Sequence, residues 1–388
     1  MQSACGRVEL RRRRFGDKQQ GSECPVDRLV DETESAVSVG ARQLCCREGG
    51  NARSFARGRE NLKHAAHIDC GEELFRQIVE GEGRMILKAS DQEQLELDWS
   101  ASDCKTQTAD RASPSAPEGR QVSRMYVSAD GVLVPTTTQT EKDKRRATVL
   151  KKRGNLPPQR RRRLGKLKAV KKGSDQRYKQ IYVTCFYDQS HEHRLVGVTA
   201  GQVKGLKRLL KHEATRTHLR GADERLGIVD GAVCLKANLE ALPLECVLLD
   251  FYHASEHVGQ AAAQCGTAQT WLNQTLHVLR HEGYAPFFQR LLDWRTPLRG
   301  GKRKHADALI QYIATRQDMI RYEQCDARGL DVGSGPMESM CGVTTDRIKG
   351  RGRRWDLDNA LAMMALEALY QSTGLWDRYW SNAFGQRN

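Results

Sequence analysis

The sequence lacks long hydrophobic runs and closely spaced cysteine pairs of the Cys-x-x-Cys type. No stretch of 18 or more apolar residues occurs in the 388 residues, which excludes ordinary membrane-spanning helices. The N-terminus has no apolar segment of the kind found in secretory signals, and the 12 cysteines are scattered. We therefore expect a soluble, cytoplasmic protein in a reducing compartment, without a disulfide framework.

Acidic residues are nearly absent from one part of the chain. Residues 144–179 contain 16 lysines and arginines and a single acid, while the whole chain has a formal net charge of +15. This segment therefore accounts for all the excess charge and predicts contact with a phosphate backbone, although a solvated loop or a nuclear-targeting signal would look similar. The residues expected to contact DNA are Lys151, Lys152, Arg153, Arg160, Arg161, Arg162, Arg163, Lys171 and Lys172.

The order of apolar runs predicts a mixed β-sheet covered by helices. Strand patterns occur at residues 125–134, 180–187, 194–198, 226–229 and 246–249, and helical patterns lie between the later ones. Three consecutive strands followed by alternating helices and strands are typical of an α/β fold. We expect this domain to span residues 123–388, with a basic loop at 143–179 and an all-α insertion at 256–330.

The first part of the chain is predicted to contain three smaller units. Residues 1–30 have a basic, β-like pattern, residues 31–85 a helical one, and residues 86–122 are polar and are assigned to a linker. Two helices separated by a turn near Asp69 could form a DNA-binding helix-turn-helix, although ordinary helical hairpins have the same pattern. Cys5 and Cys24 could provide half of a metal site, but they could equally be simple thiols.

Three carboxylates are expected to meet at one edge of the sheet. Asp130 lies in the first strand of the domain, Asp230 follows the fourth strand, and Glu338 lies in the first turn of a later helix. Carboxylate oxygens without cysteine or histidine neighbours suit Mg²⁺ or Mn²⁺. Two such ions can activate a water or a 3′-hydroxyl and stabilise the leaving oxygen of a phosphodiester. Each Asp-Gly pair alone is weak evidence, because this dipeptide is common in turns.

Several motifs in this order resemble bacterial insertion-sequence transposases of the ISKra type, which are similar to Mutator-like DDE transposases. The motifs are Asp130-Gly131, Asp230-Gly231-Ala232, Asp250-Phe251-Tyr252-His253, Gly333-Ser334-Gly335-Pro336-Met337-Glu338-Ser339 and Arg347-Ile348-Lys349-Gly350 up to Trp355. The resemblance covers roughly residues 125–380. It implies an RNase H-like catalytic domain that cleaves the ends of an insertion sequence and transfers the strands to target DNA.

The resemblance also implies a role for individual residues. Asp130, Asp230 and Glu338 would bind Mg²⁺ or Mn²⁺, and Asp250, His253, Lys349 and Arg347 would support the site. On an unbroken helix, Lys349 would return to the face of Glu338 and could touch a phosphate. The implied partners are terminal inverted repeats, target DNA and further copies of the chain, in a bacterial cytoplasm. Gly342 departs from the family pattern, so a catalytically inactive DNA-binding relative is the alternative.

A second alternative arises from the same stretch of sequence. His253, Glu256 and His257 fit the His-x-x-Glu-His pattern of inverted zinc metallopeptidases, in which a later glutamate would be the third zinc ligand. Such short motifs often arise by chance, and the charge of this chain favours DNA. His253 is instead expected to hydrogen-bond Asp250 or a backbone carbonyl and so to fix the strand-to-helix turn.

Overall fold

The computed structural model describes residues 2–9, 15–17, 21–23, 37–107, 121–167 and 169–385. No helix in this part of the chain is both long and apolar enough to span a membrane. The N-terminal piece contains the short antiparallel pairs β1 (Gln2–Ser3) with β2 (Gly6–Arg7) and β3 (Phe15–Asp17) with β4 (Gly21–Glu23). Cys5 is exposed, and Cys24 lies outside the described residues.

Three helices follow the N-terminal piece: α1 (Val39–Asn51), α2 (Phe55–Ala66) and α3 (Glu72–Asp91). The side chains of Ser38 and Ser54 accept hydrogen bonds from backbone N–H groups in the first turns of α1 and α2, which fixes where these helices start. The predicted helical region is therefore confirmed for its described part, which begins at residue 37.

The segment predicted as a linker is largely part of the fold. Helix α3 continues to Asp91, and Trp99 and Ala101 are buried. A short 3₁₀-helix leads into β5 (Lys105–Gln107), which pairs antiparallel with the start of the main central strand. The linker boundary is therefore wrong for residues 86–107, because a few apolar side chains anchor a polar stretch to the sheet.

The main sheet has the predicted strands in a mixed arrangement. Its strands are β6 (Gln121–Pro135), β7 (Tyr178–Asp188), β8 (Arg194–Thr199), β9 (Glu224–Val229) and β10 (Cys246–Leu249). They are ordered β10-β9-β6-β7-β8, with β6, β7 and β8 antiparallel and β6, β9 and β10 parallel. The α/β class and the mixed sheet flanked by helices are therefore confirmed.

The helices between these strands are α4 (Gln139–Gly154), α5 (Pro158–Arg162), α6 (Gln202–Arg216) and α7 (Val233–Leu239). The basic segment was predicted to be a loop. This prediction is wrong for much of the segment, because α4 and α5 occupy it. Thr138 and Glu141 form a reciprocal capping box at the start of α4. The lysines and arginines that follow favour a helix once this cap has started it.

Helices make up the predicted all-α insertion: α8 (Phe251–Cys265), α9 (Gln269–His281), α10 (Tyr284–Arg295), α11 (Gly300–Ala314) and α12 (Tyr322–Ala327). The chain then returns to the sheet with α13 (Gly335–Asp346), α14 (Leu357–Gln371) and α15 (Leu375–Gly385). Helix α14 packs against α3 and β8, so the N-terminal helices and the sheet share one hydrophobic core.

Candidate metal centre and nucleic-acid interface

Two of the predicted acids are neighbours on adjacent strands. The parallel register of β6 and β9 pairs Arg124 with Glu224 and continues to Ser128 beside Ile228. Two residues further along this register, Asp130 stands beside Asp230, and paired residues of parallel strands point to the same face. Extended by two residues, the register therefore puts Asp130 and Asp230 at neighbouring positions, at the edge where β9 ends.

Each of the two aspartates is held by a local hydrogen bond. The N–H of Gly131 donates to Oδ1 of Asp130 at 2.5 Å, and the N–H of Ala232 donates to Oδ1 of Asp230 at 2.9 Å. Gly231 has φ of 87°, and a Cβ there would lie 2.6 Å from Nε of Arg316. A glycine is therefore required after Asp230 for both conformational and steric reasons.

Helix α13 places Glu338 over the same face of the sheet. The thiol of Cys341 on this helix donates to Oδ2 of Asp130 at 3.6 Å. Glu338 lies three residues earlier, hence about one turn away on the same side of the helix, and its side chain is exposed. The oxygens of Asp130, Asp230 and Glu338 do not all lie within 4.8 Å of one another.

Asp250 joins the insertion to the helix that carries Glu338. It is only 2% exposed, and its Oδ1 accepts a hydrogen bond from the N–H of His253 at 2.8 Å, which caps α8. Its Oδ2 accepts from both the N–H and the hydroxyl of Ser334, immediately before α13. The hydrogen bond expected between His253 and Asp250 is present, but the backbone N–H of His253 donates it and not the imidazole.

The two histidines of the alternative zinc motif, His253 and His257, do not form a zinc site with a third ligand in the described part of the chain. The His253 and His257 ring centroids are 5.7 Å apart, and the His257 ring stacks on Tyr312 at 4.0 Å. Burial lowers the pKa of His257, and the neighbouring His253 and Arg316 lower it further, which favours a neutral ring. Glu256 is exposed, and no third ligand within the described ranges completes a three-donor set with this pair.

Two residues of the insertion that the sequence did not single out contact the candidate centre. The hydroxyl of Tyr312 donates to the backbone carbonyl of Asp230 at 3.3 Å, and Nε of Arg316 donates to the carbonyl of Gly231 at 2.9 Å. The Arg316 guanidinium also lies 3.9 Å from the Tyr312 ring centroid. Tyr312 lies in the last turn of α11, and Arg316 follows shortly after the end of this helix. Their spacing of four residues is the sequence pattern that could have indicated that both face the same neighbour.

The two predicted basic supporting residues have different surroundings. Lys349 is exposed and lies beyond the end of α13 at Asp346, so the assumption of an unbroken helix was wrong. Its charge still lowers the pKa of Cys341, which places it near the helix that carries Glu338, although burial raises that pKa overall.

Gly342 lies within α13 without interrupting it, so this departure from the family pattern does not break the helix.

Arg347 is a packing residue. Its guanidinium donates to the carbonyls of Gly49 and Arg53 at 3.2 and 3.3 Å. It also lies 4.7 Å from the Phe55 ring centroid and 5.3 Å from that of Trp355. Burial and the neighbouring Arg353 lower the pKa of Arg347 to about 10. Arg347 therefore fastens the end of α13 to the N-terminal helices.

A basic cleft opens beyond the end of β6. It has a volume of about 1080 Å³ and lies between the N-terminal helices, α4 and the segment that precedes α14. Only three acids line it, and two of them are paired, Asp356 with Lys142 at 2.7 Å and Glu80 with Arg76 at 3.6 Å. The basic residues that line it are Arg53, Arg76, Lys142, Arg145, Arg146, Arg153, Lys166, Lys171, Arg347, Arg353 and Arg354.

Two of the predicted DNA-binding residues, Arg153 and Lys171, line this cleft. Arg153 is half-buried and lines the cleft, and its guanidinium donates to the carbonyl of Gly165 at 2.8 Å. Lys171 also lines it. The exposed members are Lys151, Lys152, Arg160, Arg161, Arg162, Arg163, Lys171 and Lys172. Their side chains are therefore available to phosphates.

The second helix of the expected helix-turn-helix is used for packing. Phe75, Val79 and Ile86 on α3 are buried, and Gly83 approaches the backbone carbonyl of Ala362 so closely that a Cβ would lie 2.2 Å from it. Acids outnumber bases along α3. Such a helix is a poor choice for insertion into a DNA groove, whereas α2 has more bases than acids and exposes Arg57.

A scan against protein-family models finds no match to the chain, and a search of curated proteins finds no matching sequence.

Proposed function

We propose that the protein is a metal-dependent DNA transposase of the DDE type with an RNase H-like core. The observation that carries this proposal is the placement of Asp130 beside Asp230 on neighbouring parallel strands, with Glu338 on a helix that contacts Asp130. The strand order, with an antiparallel hairpin on one side of β6 and two parallel strands on the other, supports an RNase H-like sheet.

The donor atoms fit a hard divalent cation. Asp130 and Asp230 offer carboxylate oxygens at one sheet edge, and Glu338 offers a third from α13, which suits Mg²⁺ or Mn²⁺. A bound Mg²⁺ or Mn²⁺ would activate a water or 3′-hydroxyl and stabilise the leaving oxygen of a phosphodiester.

The surroundings of the acids support a role for the insertion and for Asp250. Tyr312 and Arg316 hold the backbone of the turn that follows Asp230, which limits how this carboxylate can move. Asp250 ties the start of α13 to α8 and so positions Glu338 relative to the sheet. Holding catalytic groups in place in this way is a main source of rate enhancement in phosphoryl transfer.

The basic cleft offers a place for DNA on the same side of the sheet. Beyond Asp130, β6 and β7 continue as a two-stranded ribbon to Pro135, about 17 Å further along the strand, and Thr137 then lines the cleft. A duplex held by the cleft would run towards the acids. The proposal includes terminal inverted repeats and target DNA as partners, assembly of at least two copies on DNA to pair two ends, and a cytoplasmic location.

The test is cleavage of a plasmid that carries the native flanking sequences of the gene. We expect end-specific cuts by the wild-type protein with Mg²⁺ or Mn²⁺ and none with Ca²⁺ or Zn²⁺. Asp130→Asn, Asp230→Asn and Glu338→Gln should each abolish cutting while DNA affinity is kept. Glu256→Gln, an exposed acid of the competing zinc motif, is the matched control and should cut normally.

The other outcomes select among the alternatives. Specific binding of the ends without cutting under any metal would favour the inactive DNA-binding relative. Loss of activity in Glu256→Gln together with a requirement for Zn²⁺ would favour metallopeptidase chemistry. Either result would overturn the proposed transposase reaction.

A further inference from the structure

A second set of metal-ligand side chains lies at the opposite end of the sheet from Asp130. Cys104, Asp188 and His193 are the single group in the described part of the chain whose thiol, carboxylate and imidazole donors all lie within 4.8 Å of one another. Asp188 pairs with Met125 at the start of β6, whereas Asp130 pairs with Val183. The group is thus separate from the catalytic candidate.

The three side chains come from different parts of the fold. Cys104 immediately precedes β5, Asp188 ends β7, and His193 immediately precedes β8. Cys104 is 1% exposed and Asp188 is 2% exposed, whereas the His193 side chain is 24% exposed. The thiol and the carboxylate are therefore buried, and the group is accessible to solvent through the histidine side chain.

The hydrogen bonds of this group leave the thiol poorly satisfied. Nδ1 of His193 lies 2.8 Å from Oδ2 of Asp188, which also accepts from the hydroxyl of Ser190 at 2.9 Å. The Cys104 thiol donates only to the carbonyl of Ser100, at 3.7 Å. A thiol is a weak donor, so this contact contributes little to holding the segment before β5 against the hairpin.

Charge balance favours a divalent ion here. Asp188 is buried without a lysine or arginine partner in the described residues, and His193 is its one ion-pair partner there. The carboxylate accepts hydrogen bonds from the hydroxyl of Ser190 and the N–H of His193, and a nearby positive charge would lower the cost of its burial further. A divalent cation, one thiolate, one carboxylate and one neutral imidazole together have no net charge, so they can be buried at low cost. Sulfur, nitrogen and oxygen donors in this combination suit zinc rather than magnesium.

We propose that Cys104, Asp188 and His193 bind a zinc-class divalent ion that ties the segment before β5 to the β7–β8 hairpin. On binding, a sulfur–metal bond forms and the Cys104 thiol proton leaves to solvent, and water completes the coordination. Because the site is remote from Asp130, its role is to hold the fold together. The proposal is independent of the transposase function.

The experiment is a measurement of bound metal on the full-length protein. Protein freed of any affinity tag and purified from zinc-supplemented cultures is expected to contain about one zinc per chain. Cys104→Ser and His193→Gln should lose that zinc. Cys325→Ser is the matched control, because burial raises the pKa of both Cys104 and Cys325 to about 12, and it should keep the metal.

Cobalt substitution gives a second readout that does not depend on activity. Co²⁺ should produce a thiolate-to-cobalt charge-transfer band in the wild type and in Cys325→Ser, and none in Cys104→Ser. If Cys104→Ser does not fold, His193→Gln provides the test and should also lose the band. Wild-type protein without zinc and without a cobalt band, or zinc retained in both ligand variants, would overturn the proposal and leave a hydrogen-bonded hairpin.

Discussion

Asp250 connects two elements through the hydrogen bonds that its carboxylate accepts. Its two oxygens accept from the N–H of His253 and from the N–H and hydroxyl of Ser334. Hydrogen bonds to a charged acceptor contribute more than neutral ones, and donors left unsatisfied in a buried place are costly. These hydrogen bonds therefore contribute to the position of α13, and so of Glu338.

Asp250→Ala should lower the free energy of unfolding by about 3 kcal/mol or more, because two buried N–H groups lose their acceptor. Urea unfolding followed by circular dichroism measures the change. Asp377→Ala, at an exposed helical position, is the control and should change stability by at most about 0.5 kcal/mol. Equal effects in both variants would show that Asp250 does not hold the elements together.

An arginine that follows α13 can contact DNA or stabilise the fold, and the sequence alone does not distinguish these two roles for Arg347. Its contacts favour the fold. Arg347→Met should therefore lower the free energy of unfolding by about 1 to 3 kcal/mol, through two lost hydrogen bonds and lost cation–π contacts.

The control for Arg347→Met is Arg351→Met, an exposed arginine close by in the chain. It should leave stability within about 0.5 kcal/mol of wild type. Fluorescence anisotropy with duplex DNA, under conditions where both variants are folded, measures their affinities. An unchanged stability of Arg347→Met with a large loss of DNA affinity would assign Arg347 to phosphate binding instead.

At the scale of elements, the protonation of Glu213 on α6 makes the free energy of unfolding depend on pH. Burial raises the pKa of Glu213 to about 7, although Arg216, 2.8 Å away, opposes this shift. In the unfolded chain a glutamate loses its proton near pH 4.5. Between these values the folded state binds more protons than the unfolded state, so this contribution to stability falls as the pH rises from about 4.5 to about 7.

Glu213→Gln should remove that contribution. Over this pH range the wild type should lose stability relative to the variant, with a slope of up to about 1.4 kcal/mol per pH unit. Urea unfolding at several pH values gives the slope, and Glu60→Gln, an exposed helical position, should follow the wild type. Parallel curves for the wild type and Glu213→Gln would contradict the shifted pKa.

Helix α4 and the loop after it are where the charge of the chain is concentrated. Replacing Lys151, Lys152 and Arg153 with alanine should weaken DNA binding and reduce its dependence on salt. The slope of log K against log salt concentration should become shallower by about 2 to 3, if each side chain neutralises one phosphate. Titrations at several KCl concentrations measure this slope.

The control for the α4 variant is the alanine triple variant of Lys302, Arg303 and Lys304, which removes the same charge from the start of α11. It should keep the wild-type slope, since α11 lies outside the basic cleft. Equal reductions in both triple variants would mean that net charge, and not the cleft, determines DNA binding.

The strands were predictable because buried runs rich in valine, isoleucine and leucine have few alternatives to a central sheet. The basic segment was harder, because its charge density suggested a loop while the Thr138–Glu141 capping box started α4. Asp130 and Asp230 could be placed together from strand order alone. Tyr312 and Arg316 could not, since they reach the turn after Asp230 through the packing of the insertion, in which α11 lies against α8.

At the scale of the whole molecule, the two proposed metal sites lie at opposite ends of β6. The acids Asp130 and Asp230 face the end where β6 and β7 run on towards the basic cleft, and Cys104, Asp188 and His193 lie at the other. The N-terminal helices close the cleft from one side through Arg53 and Arg347. One continuous core therefore carries both the strand that contains Asp130 and the helices that line the basic cleft beyond its end.

The central claim is that Asp130 and Asp230 bind the catalytic metal, and Mn²⁺ binding to the protein–DNA complex tests it most directly. Electron paramagnetic resonance of free Mn²⁺ gives the affinity for the wild type, Asp130→Asn, Asp230→Asn and the exposed control Asp293→Asn. We predict that both site variants bind Mn²⁺ at least about tenfold more weakly, or about 1.4 kcal/mol, while Asp293→Asn matches the wild type. Equal Mn²⁺ affinity in all four proteins would contradict the account.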